Sequence, residues 1–488
     1  QIGCRHEDGR VVFPEGLQRN LQDLIDAQLM GMTIPREYGG LGFPETVYTA
    51  AIEIVSRADA SLMNFFGLQG GIAETIHHFG SEEMKEKYLP PMSTGESTCA
   101  MALTEADAGS DLAAVQTRAG IEAQQDPVTG QWYISGTKRF ITNGCGDILV
   151  VLARSEDPEK KSGARGLSFF LVEGDEHVKV RRIENKMGIH GSPTCELYFD
   201  RAPAWLIGRR GAGLSRYTAW LMLAARLAIA AQAQGIAEAA LAASLQYASE
   251  REQFGKPIRE FPQLAALLES MRIRTEGTRA LLYKASEIVD LHQGAEARGL
   301  AEEKRRYGRI ADALTPITKY YVTEVANHIC YDAISVHGGS GYMKEYAVER
   351  LYRDARITNI YEGTSQIQVD WALPRLLRGD LDELLAAERD RVPADPALGA
   401  MYEEVKKAHD GFVAATAFLK EQDKTYRELA GPDYVDLFID LYIGYLLLAQ
   451  AAEKEEKKLV AQRYIRDMIP RAEMRRTLVM TRQPPVLV

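Results

Sequence analysis

The sequence predicts an α+β protein: a helical segment, then an all-β segment, then a bundle of long helices with a further helical segment behind it. Two observations carry this. Before about residue 92 and after residue 213, apolar residues recur at intervals of three and four, the period of a helix face. Between about residues 96 and 207 the pattern changes to short β-rich runs parted by Gly, Asn and Asp, as in an all-β domain. The expected segments are 1–97, 98–207, 212–382 and 396–488. A chain of 488 residues exceeds one compact core, and two to four domains are expected.

In the first segment "LQRNLQDLIDAQLMG", "VYTAAIEIVSRADASL" and "SEEMKEKYLPPMSTG" read as helices, the last opened by Ser81 with acids in its first turn. "PREYGGLGFP" breaks them. The β-rich runs are "STCAMALTE", "QWYISGTKRFITNG", "DILVVLARS", "GLSFFLVEGD", "VKVRRIE" and "CELYFDRAP". Four long helices follow, beginning at Ser215, Phe261, Thr315 and Thr364 or Ser365, and short links between them suggest an antiparallel bundle. "ERDRVPADPALG" reads as a linker. Beyond it, "MYEEVKKAHDGFVAATAFLKEQ" and "YVDLFIDLYIGYLLLAQAAEKEEKKLVAQRYIRDMI" read as two more helices. There is no internal repeat.

Hydrophobic content of 46% and charged content of 26% describe an ordinary globular protein. A net charge of −10 disfavours nucleic acid as a partner. Cys4, Cys99, Cys145, Cys195 and Cys330 are scattered, without the spacing of a zinc site or a disulfide scaffold, so no metal is expected. The two longest apolar runs carry Arg226 and Asp440 and read as buried helices rather than membrane spans. No signal peptide is visible. The chain opens on Gln1, so a cut N-terminus is expected.

Several short stretches carry chemistry. "CAMALTEADAGSD", Cys99–Asp111, starts as a strand and ends in small residues. Such a loop offers backbone N–H groups and a hydroxyl to a flat heterocycle or a pyrophosphate, and it also reads as a plain strand-to-turn transition. "RFITNG", Arg139–Gly144, places an aromatic and a hydroxyl at a hairpin end. "REQFGKPI", Arg251–Ile258, and "VHGGSGY", Val336–Tyr342, each follow a long helix and read as helix stops or as backbone that a ligand approaches closely. In "NIYEGTSQIQVDWALPRLLRG", Asn359–Gly379, one acid, Glu362, stands just ahead of a helix with a glycine behind it.

In this order, "MALTEADAGSD", "FITNG", "KMGIHGSPT", "REQFGKPI", "VHGGSGY" and "IYEGTSQIQ" resemble the acyl-CoA dehydrogenase family over about Leu17–Asp380. The resemblance implies that family's fold: a helical N-terminal domain, a middle β-barrel and a four-helix bundle, with FAD held between barrel and bundle. The stretch Met101, Ala102, Leu103, Thr104 to Ser110 is expected to line the flavin, with Ser110 also near ligand phosphates. Phe140, Ile141 and Thr142 are expected to pack against the flavin. Arg251, Gln253 and Phe254 match a segment that reaches the FAD of a neighbouring subunit, and Gly338 and Gly339 match its adenine and pyrophosphate contacts. Thr364 and Gln366 match phosphate-side contacts. Ser192 and Arg226 match positions that touch CoA, and Tyr361 and Gly363 flank the thioester.

Glu362 resembles the family's catalytic base. Such a base removes the α-proton of an acyl-CoA thioester while hydride leaves the β-carbon for flavin N5. The enolate needs donors at the thioester oxygen, an oxyanion-hole arrangement that includes the Glu362 backbone N–H. The helix N-terminus favours the charged carboxylate and burial under an acyl chain favours the protonated one, so a base poised nearer neutrality is expected.

Some positions depart from the family pattern. Ser335 stands where Gln is frequent. Ala225 removes an alternative base position beside Arg226, and Leu223 replaces an acid used near the pantetheine. "SLMNFF" lacks the arginine of members that take a terminal carboxylate, which points to an apolar acyl group. The C-terminal extension resembles a longer bacterial branch. The resemblance implies electron-transferring flavoprotein as electron acceptor, a homodimer or homotetramer, and a cytoplasmic location, with an organelle matrix left open by the N-terminus. An acyl-CoA oxidase and a non-catalytic scaffold on the same fold are the alternatives.

Overall fold

The computed structural model describes residues 2–119, 130–157, 159, 163–393 and 395–484. They fall into two compact units, Gln1–Ala228 and Ile229–Val488.

The first unit opens with a small hairpin, β1 (Arg5–Glu7) and β2 (Arg10–Val12), that the sequence reading did not anticipate. Its helices are α1 (Glu15–Asp26), α2 (Glu45–Ala58), α3 (Ala60–Phe79) and α4 (Glu82–Thr94). Asp59 caps α3 by accepting from the Ser61 and Leu62 N–H groups at 2.8 and 3.3 Å. Ser81 caps α4 as its sequence suggests, accepting from the Met84 N–H. The strands are β3 (Cys99–Ala102), β4 (Arg118–Ala119), β5 (Trp132–Thr142), β6 (Ile148–Arg154), β7 (Leu167–Glu173), β8 (Val178–Ile183) and β9 (Thr194–Ile207). The pairings β6–β7, β7–β9, β9–β5, β5–β4 and β4–β6 form a closed circuit, so the sheet is a barrel with β3 added beside β6 and β8 beside β9. One core joins α3 and α4 to this sheet: Ile72, Ile76, Leu89 and Met92 meet Val150, Phe169 and Leu171.

The chain enters the second unit within α5 (Ala219–Glu250), which begins on a turn of π-helix, Gly213–Thr218. A two-residue hairpin, β10 (Glu252–Gln253) and β11 (Lys256–Pro257), follows. Then come α6 (Pro262–Ala297), α7 (Ala301–His337), α8 (Ala347–Ala355) and α9 (Ser365–Arg378). The sequence pattern places the start of the third bundle helix at Thr315. In fact α7 begins at Ala301 and carries Pro316 inside it. That proline is buried with its neighbours, and packing of the long apolar face outweighs the one lost backbone donor. The short α8 was also missed.

Behind the bundle lie α10 (Asp382–Arg389), α11 (Pro396–Lys420), α12 (Lys424–Glu453) and α13 (Lys458–Thr481). One helix was expected where α12 and α13 lie. The chain breaks instead at the charged, mostly exposed Lys454–Lys457. Helix α12 is long and apolar enough to cross a membrane, yet 78% of its most apolar window is buried. It touches α6, α7, α9, α10, α11 and α13. At Gly431 a Cβ would lie 3.2 Å from Leu373 and 3.4 Å from Val369 of α9, so this glycine lets the two helices approach. The acid within this apolar helix, Asp440, is fully buried and paired with Arg471 at 3.0 Å and Arg475 at 3.3 Å.

Candidate active site

Between α8 and α9 the chain turns through Tyr361, Glu362 and Gly363. Thr364 caps α9, its Oγ1 accepting from the Ile367 N–H at 3.4 Å, so the helix begins where the sequence suggests. Glu362 sits at φ +54° and Gly363 at φ +91°. A left-handed conformation is uncommon for a glutamate and marks a turn that its surroundings must hold. Gln368 supplies part of that hold: its Nε2 donates to the Glu362 carbonyl at 2.9 Å and the Gly363 carbonyl at 3.1 Å. Lys319, on α7, donates to the Gly363 carbonyl at 2.6 Å. On the other side Glu324 accepts from the Asn359 amide at 3.0 Å and from the Ser365 hydroxyl. Glu362 itself is half-buried. Burial, with the charge of Glu362 behind it, pushes the Tyr361 phenol well above its usual range, and its hydroxyl donates to Gln232.

In the first unit, the end of β3 and the end of β5 are brought together. The Arg139 N–H donates to the Thr104 carbonyl at 2.9 Å. Met101 and Ala102 finish β3, Leu103 is buried, and Thr104 opens the loop. Phe140 is at φ +61° and half exposed, with the Arg139 guanidinium 4.7 Å from its ring centre. Ile141 is buried, and Thr142 pairs with Thr194 in the barrel ladder. Gly109, beside the exposed Ser110, lies close to the Thr104 side chain.

This loop is tied down by a carboxylate. Glu105 accepts from the Gln116 and Thr117 N–H groups at 2.8 and 2.9 Å and from Lys138 Nζ at 2.8 Å. Lys138 also donates to the Leu103 carbonyl at 2.8 Å. Burial pulls the Lys138 ammonium down to about 8 against the charge of Glu105. Burial would push Glu105 up, but Lys138, Thr117 and the Gln116 N–H outweigh it and hold the carboxyl below its usual range.

The remaining sites expected from sequence are distributed as follows. Ser192 is fully buried and its hydroxyl donates to Asn143 Oδ1 at 3.3 Å; with Lys186, His190 and Thr194 it borders a cavity of about 360 Å³. The side chain is turned inward, which the sequence gives no sign of. Arg226 lies in α5 at the end of the first unit. In the second unit Arg251 and Gln253 stand at the β10–β11 hairpin, whose tip is Phe254 (φ +52°, 94% exposed) and Gly255 (φ +79°). Gly338 ends α7 at φ +59°, and a Cβ built on it or on Gly339 meets nothing within 4 Å. Tyr247 stacks on His337 at 4.3 Å and reaches Ser340, so the Arg251 and Gly338 segments share a neighbourhood. Gln366 is exposed on the first turn of α9.

These residues fit FAD: an apolar and hydroxyl-bearing wall with an outward phenyl ring, the exposed Arg251 at a hairpin, and glycine backbone facing open space. Sequence reasoning missed Lys319, Gln368, Lys138 and Glu105. For Lys138 a signal existed, since it falls in register with the buried Trp132 and Ile134 on the inward face of β5.

A barrel wall suited to a flat ring system and a strained carboxylate turn ahead of a bundle helix are the parts of a flavin-dependent oxidoreductase. Models of the N-terminal, middle and C-terminal domains of acyl-CoA dehydrogenase match residues 5–96, 100–202 and 211–377. The chain belongs to the acyl-CoA dehydrogenase family and is an FAD-dependent enzyme of that family. A 3-methylmercaptopropionyl-CoA dehydrogenase of Ruegeria pomeroyi is 37% identical over 403 residues, 78% of this chain and 66% of that relative's length. An acyl-CoA dehydrogenase of Bacillus anthracis solved with FAD is 26% identical, with a TM-score of 0.83 over 95% of this chain and 82% of that one. A chain from the study of the electron transferring flavoprotein of Acidaminococcus fermentans is 34% identical, with a TM-score of 0.67 over 74% and 90%.

Proposed function

We propose that this enzyme removes the α-proton and β-hydride of an acyl-CoA thioester to give the 2-enoyl-CoA, with Glu362 as base. The observation that carries the reading is the carboxylate at Glu362, set in a left-handed turn just before α9 and held by two buried side chains. A carboxylate on a fixed turn has one approach direction, which a proton abstraction needs. Bound FAD supplies the acceptor for the hydride. Met101–Thr104 and Phe140–Thr142 would hold its ring system, and Arg251, Gln253, Phe254, Gly338, Gly339, Thr364 and Gln366 its remaining contacts. Ser110, Arg226, Tyr361 and Gly363 would meet the substrate. The α9 N-terminus favours the ionised base before substrate binds. Exclusion of water by an acyl chain then raises its proton affinity.

The likeness to a chain solved in work on an electron transferring flavoprotein supports such a flavoprotein as electron acceptor. The absence of arginine in "SLMNFF" supports an apolar acyl group, and the Ruegeria relative's name adds a short thioether to the candidates. A homodimer or homotetramer in the cytoplasm completes the reading; the exposed Phe254 suits a neighbouring subunit.

Anaerobic mixing of the holoenzyme with a panel of acyl-CoAs tests this through flavin bleaching. Glu362→Gln keeps FAD and acyl-CoA binding and loses about 10² to 10⁴ in bleaching rate. Bleaching at the wild-type rate in that variant would remove Glu362 from the role of base. Rapid peroxide formation in air would favour the oxidase alternative.

A further inference from the structure

We propose that Lys319 and Gln368 are positioning residues that clamp the two peptide carbonyls after the base and so fix the aim of the Glu362 carboxylate. The inference rests on Glu362 being the base and goes beyond it by naming what holds it.

Glu362 and Gly363 are two successive left-handed residues. Such a turn is sparsely populated by an unrestrained chain. Here the carbonyls of both residues converge on Gln368 Nε2, at 2.9 and 3.1 Å, and the second also receives Lys319 Nζ at 2.6 Å. Both side chains are fully buried. Each is carried by a rigid element. The Gln368 N–H bonds to the Thr364 carbonyl at 3.0 Å within α9, and Lys319 lies midway along α7. The turn is therefore pinned between two helices rather than by its own loop.

The chemistry of the donors is selective. The amide of Gln368 has only one sensible orientation, because its oxygen in the place of Nε2 would face two carbonyl oxygens. Glycine at 363 is required twice, by its φ and by space: a Cβ there would lie 2.5 Å from Gln368 Nε2. A buried lysine is costly unless its ammonium is used, and here it is used on the backbone next to the base. Pinning the peptide planes that follow Glu362 fixes the direction in which its side chain leaves the chain.

The test uses the FAD-loaded enzyme with a saturating acyl-CoA under anaerobic conditions. Lys319→Met and Gln368→Leu are expected to keep FAD, the melting temperature and acyl-CoA affinity, yet to bleach flavin about 10- to 100-fold more slowly, the size of loss expected when a reacting group is displaced by about 1 Å. Lys319→Met keeps a side chain of similar length, and the Gly363 carbonyl keeps Gln368 Nε2 as a donor at 3.1 Å, so its fold is retained. Gln368→Glu gives a signature that a purely structural role lacks. The ionised carboxyl repels both carbonyls, whereas the protonated one donates, so its rate relative to wild type rises as pH falls. Bleaching within about threefold of wild type in both Lys319→Met and Gln368→Leu overturns the proposal. Slowing that is explained by shed FAD or by melting marks a structural role and overturns it too. Glu362→Gln is run beside them: an active Glu362→Gln removes the base assignment, while an inactive one beside a fast Gln368→Leu removes only the clamp.

Discussion

Glu105→Gln is the substitution whose cost can be worked furthest. The Glu105 carboxylate lies 2.8 Å from Lys138 Nζ, and the two side chains are 12% and 0% exposed. Taking away one partner of a buried ion pair costs about 3–5 kcal/mol. The upper end has an independent limit: Lys138 can shed its proton instead. With a folded value of about 8, losing that proton at pH 7 costs only about 1.4 kcal/mol, which places the loss at pH 7 toward the lower end of that range. The sign with pH follows from the same group. A lysine whose folded value lies below its unfolded one binds its proton more weakly when folded, so it favours folding more as pH rises and less as pH falls. In the wild type the folded value is about 8; without Glu105 it drops further. Below pH 8 and above that lower value, wild-type Lys138 is charged and the variant's is neutral. The penalty of Glu105→Gln therefore shrinks by about 1.4 kcal/mol per pH unit as pH approaches 8, and is level above it. Urea unfolding of both proteins at half-unit steps from pH 6 to 9 reads this slope directly. FAD retention should fall with it, because Lys138 also holds the Leu103 carbonyl. A penalty that does not change with pH, or a variant as stable as wild type at pH 6, would refute a buried charged pair.

Two further outcomes concern the extension. Among the ion pairs of the described residues, Asp440→Asn leaves Arg475 with Asp436 and takes away the acid of Arg471, and should cost about 2–4 kcal/mol; an unchanged melting temperature would show that the network is not charged. Truncation before Pro396 strips α12 from Val369 and Leu373 of α9 and bares apolar surface, so aggregation or a lower melting temperature is expected; a truncated protein equally soluble and equally stable would show that the extension does not support the bundle.

What could be read from sequence was what local rules decide. Ser81 and Thr364 are caps because their hydroxyls reach N–H groups three residues on, and such rules need no tertiary information. The β-rich runs were visible as texture, but the barrel's closure was not. It depends on β6 pairing with β7 on one edge and with β3 and β4 on the other, and no residue pattern states that. Pro316 misled the reading because a proline is a helix boundary only when packing does not decide otherwise. The clamp was invisible for another reason. Lys319 and Gly363 are 44 positions apart, and a lysine in "TPITKYYV" looks like an exposed charge until α7 is placed.

The strained positions connect the sequence to the chemistry. Among the described residues, Phe140, Phe254 and Glu362, each singled out from sequence for its chemistry, adopt left-handed φ. For two of them the next residue is a glycine that is also left-handed: Phe254–Gly255 and Glu362–Gly363. A sequence rule assigns such a turn to the glycine alone. In the folded chain the glycine continues a turn whose strain begins on the residue before it. The effect is directional. A side chain on a helix or strand leaves at an angle set by that element, whereas a left-handed residue at its end is aimed away from it. Phe254 at its hairpin tip is thereby 94% exposed. Glu362 is aimed by the same means, and its carbonyl and that of Gly363 are held by Gln368 and Lys319. The donors that hold the proposed base come from the side chains of two helices, α7 and α9.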